Sequence, residues 1–176
     1  MNVKDKSCST LWMDNGKIKI INQTKLPFKF EVKELNTLSD FCNAIKKMEV
    51  RGAPLIGVTA AFGFALSINK NPLITNIQRS YKALLETRPT AVNLKWALNF
   101  IESRIKKTQT NKRGQIALQL AMKIREEDIV NNLKIALNGF KIIKKIYERK
   151  KRRINILTHC NAGWLATIDW GTALAP

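Results

Sequence analysis

The sequence predicts an α+β N-terminal domain, an antiparallel β-meander followed by a helical bundle, and after it a truncated α/β domain. Three observations predict this. Between Thr10 and Val32, short runs alternate polar and apolar residues and are punctuated by turn residues. From Thr37 to Tyr147, apolar residues recur at helical spacing. From Ile154, an apolar run climbs to Thr158-His159-Cys160-Asn161 and turns at Ala162-Gly163, which reads as a buried strand delivering a thiol to the loop at its carboxyl end. Ligands of open α/β sheets bind at such ends. The 176 residues suffice for one sizeable domain, or one domain and part of another.

The meander comes first. Leu11-Trp12-Met13 leads into Asp14-Asn15-Gly16, where Asn-Gly readily takes the positive φ of a tight hairpin. Lys17 to Ile20 alternates, Leu26-Pro27 breaks the pattern, and Phe28 to Val32 alternates again as a third strand. Thr37 to Asp40 offers a cap for a helix whose inner face is Phe41, Ala44, Ile45 and Met48. Pro54 suits the first turn of the next helix, because its missing N–H would be unpaired there. Residues 55–68 are apolar on nearly every side, with Gly57 and Gly63 allowing close approach, so this helix belongs at the centre of the core. Further helices are expected over 74–87, 91–107 and 115–147, the last with a potential interruption at Asn138-Gly139. The basic run Glu148-Arg149-Lys150-Lys151-Arg152-Arg153 then marks the domain boundary, giving units 1–149 and 150–176.

Lys and Arg total 31 against 13 acidic residues, a net charge of +18. Such a balance attracts phosphate-bearing partners or nucleic acid. The lysines are scattered, however, and the one dense run lacks an aromatic stacking platform, which argues against nucleic acid. That run also reads as the solvated end of a helix, where cations suit the dipole. Cys8, Cys42 and Cys160 are odd in number and far apart, and a single His leaves no metal-ligand set, so no metal is expected. A reducing, cytoplasmic location follows as the expectation. Lys4, Asp5 and Lys6 are not followed by a signal-like apolar stretch, and no apolar run is read as spanning a bilayer.

Three motifs carry chemistry. Val50-Arg51-Gly52-Ala53-Pro54 and Thr87-Arg88-Pro89-Thr90-Ala91 each place an Arg beside a helix start, where unpaired N–H groups also favour an anion. Arg forks pair bidentately with phosphate, though surface arginines near helix ends are also ordinary. Cys160 is either an inert small hydrophobe or, at a strand end facing a helix N-terminus, a thiol able to act as nucleophile, acid or base. His159 points to the opposite face of such a strand, so it reads as a packed core residue rather than a partner of Cys160. Trp96, Trp164 and Trp170 read as core or interface residues.

Together these strings resemble the S-methyl-5-thioribose-1-phosphate isomerase family, which shares its fold with regulatory subunits of initiation factor 2B. The resemblance rests on residues 50–58, 88–94, 156–163 and 171–174, with Ile21 to Pro27 also similar apart from Asn22, where the family usually carries Asp. It implies an aldose–ketose isomerisation in methionine salvage, a phosphorylated pentose as substrate, and no metal or organic cofactor. It implies that Arg51, Gly52 and Ala53 contact the substrate, that Arg88 clamps it, and that Cys160 sits at the reacting carbons. It implies a second, Rossmann-like domain of which residues 150–176 are only the first strand and helix start. The family's general-acid Asp then lies beyond Pro176; Asp169 stands where the family has small residues. On this basis the chain is expected to be the N-terminal half of a split or decaying gene, inactive alone, with a separately encoded second half as its partner in the split-gene case. A non-catalytic binding role like that of the initiation-factor subunits is the alternative. Homo-oligomerisation is left open.

Overall fold

The computed structural model describes residues 1–3 and 6–176; Lys4 and Asp5 lie outside the described residues. Two strands, β1 (Asn2–Val3) and β2 (Lys6–Ser7), make a short antiparallel pair. The meander follows as β3 (Leu11–Asp14), β4 (Lys17–Ile21) and β5 (Val32–Leu35), with β4 in the middle. Asn15 and Gly16 both take positive φ, 49° and 78°, and form the two-residue hairpin whose twist matches its strands. Leu11, Ile18, Ile20 and Leu35 point into the core.

The third strand starts four residues later than the alternation predicts. It pairs from Ile21↔Val32 to Ile18↔Leu35, and β4 ends at Ile21. Residues 28–31 therefore have no strand to lie beside, and Phe28 is almost fully exposed. Period alone does not make a strand; a neighbour must take its hydrogen bonds.

Helix α1 (Leu38–Lys46) is held by a reciprocal capping box. The Asp40 N–H donates to Thr37 Oγ1 at 3.2 Å, and the Thr37 N–H donates to Asp40 Oδ2 at 2.8 Å. Phe41, Ala44 and Ile45 are buried as expected. Met48 is not: the helix has ended, its φ is +57°, and the side chain is exposed.

Helix α2 (Ala53–Lys70) is the central element, packed against α1 (Leu38–Lys46), α3 (Ile74–Leu85), α4 (Val92–Ile105) and α5 (Arg113–Lys150). By length and composition it is apolar enough to cross a bilayer, contrary to the run-length expectation, yet most of it is buried in this core. Gly63 lets Phe41 lie where a Cβ would come within 2.7 Å of it.

Helix α5 runs 38 residues without interruption at Asn138-Gly139, about 57 Å at the usual rise. Its buried residues stop at Ala136, so its last third projects past the body. It ends at Lys151, which caps it in the left-handed conformation and donates to the Tyr147 carbonyl at 2.7 Å.

The strand expected over 154–160 does not form. Residues 151–163 carry no regular element, and Leu157 is 99% exposed. A strand of a parallel sheet needs neighbours on both edges and cover on both faces, and none of the described residues supplies them. The observed fold is thus α+β, a three-stranded antiparallel sheet with five helices; residues 150–176 do not build a Rossmann-like unit.

Candidate active site

The Arg51 motif sits where β4, the turn after it and the start of α2 meet. Gly52 is the residue before α2 and takes φ +96°, which a side chain would strain. A Cβ there would lie 2.4 Å from the Ala166 Cα, so only Gly admits the C-terminal segment at this point. Ala53 opens α2 and is exposed. The half-buried Arg51 donates from Nη2 to the Gln23 carbonyl at 2.9 Å.

Gln23 is buried and works in two directions. Its backbone receives Arg51, and its side-chain Nε2 donates to the Leu165 carbonyl at 2.7 Å. It therefore links the Arg51 loop to the segment that follows Cys160. The neighbouring Asn22 side chain accepts from the Thr24 N–H at 3.2 Å and caps the turn Gln23–Lys25.

That segment, residues 164–172, is held along its length. The Thr10 N–H donates to the Ile168 carbonyl at 3.1 Å, and the Thr10 hydroxyl donates to the Thr167 carbonyl. The Ile168 N–H donates to Asp128 Oδ2 at 2.8 Å, and the Thr172 N–H donates to Asn132 Oδ1 at 2.8 Å. Asp128 and Asn132 are one turn apart on α5, so one helix face grips two points of the segment. Ile168 is fully buried in the main core. Burial pushes the Asp128 carboxyl above the usual carboxylate range, while the hydrogen bonds from Ile168 and Asn132 pull it back. Gln23, Asp128 and Asn132 were not singled out by sequence reasoning. Their role depends on contacts 28 or more positions away, and no local motif marks it.

Arg88 lies half-buried in the loop between α3 and α4. Neither α2 nor α4 has a side-chain cap at its start, so the first N–H groups of both remain available to a ligand. The two starts meet across a cavity of about 460 Å³, lined by Pro54, Val58, Val92, Asn93, Trp96 and Asp128 among others. Gly57 makes this meeting close, since a Cβ there would lie 3.0 Å from the Asn93 carbonyl oxygen. Of the two Arg motifs, only Pro54 of the first lines this hollow; Pro89, Thr90 and Ala91 of the second line another cavity of about 710 Å³ that shares Val92 and Trp96 with it, and neither Arg51 nor Arg88 lines either.

Cys160 departs from expectation. It is exposed, with φ +67°, in the irregular stretch rather than at the end of a buried strand. His159, read as a packed core residue, is also exposed. Both follow from the missing sheet. Trp96 and Trp170 are exposed, while Trp164 is half-buried and its Nε1 is buried without a hydrogen-bond partner among the described residues. The thiols of Cys8 and Cys42 are pushed up by burial. No group of three or more His, Cys, Asp or Glu side chains among the described residues could hold a metal.

Comparison with known proteins gives this arrangement a context. The chain is 49% identical over its whole length to a methylthioribose-1-phosphate isomerase of Escherichia coli O45:K1, and 47% identical to one of Sinorhizobium medicae. It covers 48% and 50% of those proteins, so it spans about half the length of the curated relatives it matches. Its fold is similar to the crystal structure of 5-methylthioribose 1-phosphate isomerase from Pyrococcus horikoshii OT3, with a TM-score of 0.81 at 36% identity, covering 97% of this chain and 48% of that one. It is also similar to the translation initiation factor eIF-2B delta subunit from A. fulgidus, with a TM-score of 0.73 at 36% identity, covering 96% of this chain and 49% of that one. Residues 49–170, most of the chain, match the family described as the Initiation factor 2 subunit family, and the chain belongs to that family.

Proposed function

We propose that this chain carries the N-terminal half of a methylthioribose-1-phosphate isomerase site. The observation that carries the proposal is the docking of residues 164–172, which follow Cys160, onto the Arg51-Gly52 loop through Gln23 and Ala166. That docking tethers the thiol-bearing stretch within a few residues of the loop and is supported by near-half identity to isomerases along the whole chain.

In this proposal the substrate is a pentose phosphorylated on its anomeric carbon. The C1–ring oxygen bond breaks, and the ring oxygen takes a proton. One hydrogen moves from C2 to C1, the C2 hydroxyl loses its proton, and C2 becomes the ketone, so the formula is unchanged. Arg51 and Arg88, with the uncapped starts of α2 and α4, hold the phosphate. Exposed Ala53 admits the sugar against the backbone, Gly52, packed by Ala166, keeps that loop tight beside it, and Cys160 acts at C1 and C2. Exposed in this structure, Cys160 needs cover before it can work in a water-excluded site. A Rossmann-like second half, with residues 154–160 as its first strand, is the proposed cover. In this chain it comes from a segment equivalent to the remaining half of the relatives. The proposed setting is methionine salvage in the cytoplasm.

The test is turnover of methylthioribose 1-phosphate by the chain, alone and mixed with the remaining half of the E. coli relative. Ketose formation by the mixture, lost in Cys160→Ala and reduced more than ~100-fold in Arg51→Ala, is expected. Binding of the two halves without any turnover would remove the isomerase assignment. That outcome favours a second role, partner binding like that of the initiation-factor subunits, which the likeness to the delta subunit and the exposed thiol support.

A further inference from the structure

The cavity of about 460 Å³ begins at the helix starts that hold the phosphate in the proposed site. Pro54 is the second residue of α2 and Val92 the first of α4, and both line it. Val58 and Trp96 line it too, each four residues further along the same helix, one turn or about 5 Å on. Val92 is 78% exposed and Trp96 48%, although both are large and apolar. Holding an anion at a helix start needs only the N–H groups and a cation, so this apolar surface calls for an apolar occupant.

Trp96 is held in place. Phe100, one turn on, packs against it with ring centroids 5.5 Å apart, and the Arg104 guanidinium lies 3.5 Å over the Phe100 ring. This row along α4 fixes the indole at the edge of the cavity. Val58 and Ile124, both buried, give the cavity an apolar floor. On the α5 side, Glu127 and Asp128 bring carboxyl groups to its lining. Glu127 lies 3.7 Å from Lys123, an exposed pair of little strength.

Resting on the isomerase reading above, we propose that Trp96 determines which pentose phosphate the site accepts, by receiving an apolar substituent on C5. With the C1 phosphate at the helix starts, an extended pentose carries C5 about 5 Å away, the length of that one turn. A thioether on C5 meets the indole in a favourable sulfur–aromatic contact and buries its methyl group against Val58 and Val92. A hydroxyl on C5 gains neither. A second phosphate on C5 faces the Glu127 and Asp128 carboxyls, where like charge excludes it. The cavity thus selects an uncharged, apolar C5 substituent and rejects a bisphosphate.

Steady-state kinetics of the chain mixed with the remaining half of the E. coli relative test the proposal, on pentose 1-phosphates carrying methylthio, hydroxyl or phosphate at C5. Far-UV circular dichroism checks that each variant is folded. The expected order of kcat/KM is methylthio, hydroxyl, phosphate. Trp96→Ala lowers kcat/KM for the methylthio sugar about 30-fold, through KM, and removes most of its preference over the hydroxyl sugar. Trp96→Phe restores that preference to within about 3-fold. Glu127→Gln raises turnover of the C5-phosphorylated sugar about 5-fold. Turnover with an unchanged methylthio-to-hydroxyl ratio in Trp96→Ala overturns the proposal and leaves the isomerase reading standing. Loss of association between the halves in Trp96→Ala, read by size-exclusion chromatography, also overturns it and assigns the indole to the contact with that half. A mixture that turns over none of these sugars removes the isomerase reading. Equilibrium dialysis of the chain against the methylthio and hydroxyl sugars then decides the pocket: a preference for methylthio that Trp96→Ala abolishes supports it, and equal binding overturns it.

Discussion

Residues 152–162 and residues 164–172 follow one another in the chain and differ in everything that holds a backbone in place. The first stretch has no backbone–backbone hydrogen bond among the described residues and leaves Ile156, Leu157 and Cys160 exposed. The second is bonded to Thr10, Gln23, Asp128 and Asn132 and buries Ile168 in the main core. Hydrophobicity does not separate them, since the first contains Ile154-Asn155-Ile156-Leu157. The difference is whether partners exist. The second finds its partners within this chain, and the first is built for a sheet whose other strands are not among the described residues.

The comparison breaks most sharply at Gly52. Gly52→Ala forces a Cβ against Ala166 in a backbone region that side chains avoid, and about 3 kcal/mol of stability is expected to be lost. Chemical denaturation measures the loss, and limited proteolysis should show residues 164–176 becoming as cleavable as 152–162. A wild-type midpoint for this variant would mean that the segment docks without the Gly52 contact.

Ile168→Ala comes next. A fully buried isoleucine truncated to alanine costs ~2–4 kcal/mol, with the ceiling set by what docking of the segment contributes. Little change on denaturation would show that the segment is bound far more weakly than its burial indicates.

Asp128→Ala leaves the Ile168 N–H without its acceptor and is expected to cost about 1 kcal/mol. Amide exchange at Ile168 should accelerate while exchange in the middle of α2 does not. The pH dependence sharpens this. The folded-state pKa of Asp128 is raised, chiefly by burial. Its stabilising contribution is therefore fully present below the unfolded value of about 3.9 and is lost as pH rises through the folded value. Acidification from neutrality should stabilise the wild type relative to Asp128→Asn; a difference that is flat in pH would mean that Asp128 is not buried in solution.

The smallest effect belongs to the first stretch. Leu157→Ser should change stability by less than about 0.5 kcal/mol, because the side chain is already in water. A larger loss would show that residues 154–160 are packed in solution.

Where contacts are local, the sequence was readable in detail. The Asn15-Gly16 hairpin, the Thr37–Asp40 capping box, Pro54 at the start of α2 and the close approaches at Gly57 and Gly63 all stand where residue type and spacing place them. The loci of Arg51 and Arg88 beside uncapped helix starts were readable too. The late start of β5 was not, because strand ends are set by the length of the neighbour. Nor was the grip of Asp128 and Asn132, which look like ordinary polar positions of a long helix until residues 168 and 172 arrive.

By itself, the amino-acid sequence determined the order and kind of the elements and the family likeness, because turns, caps and apolar periods act over a few residues. The tertiary structure alone decided which of two apolar segments after α5 is held and which lies in water. Burial and hydrogen bonding require a partner surface, and that surface is assembled from parts of the chain far from the segment it receives.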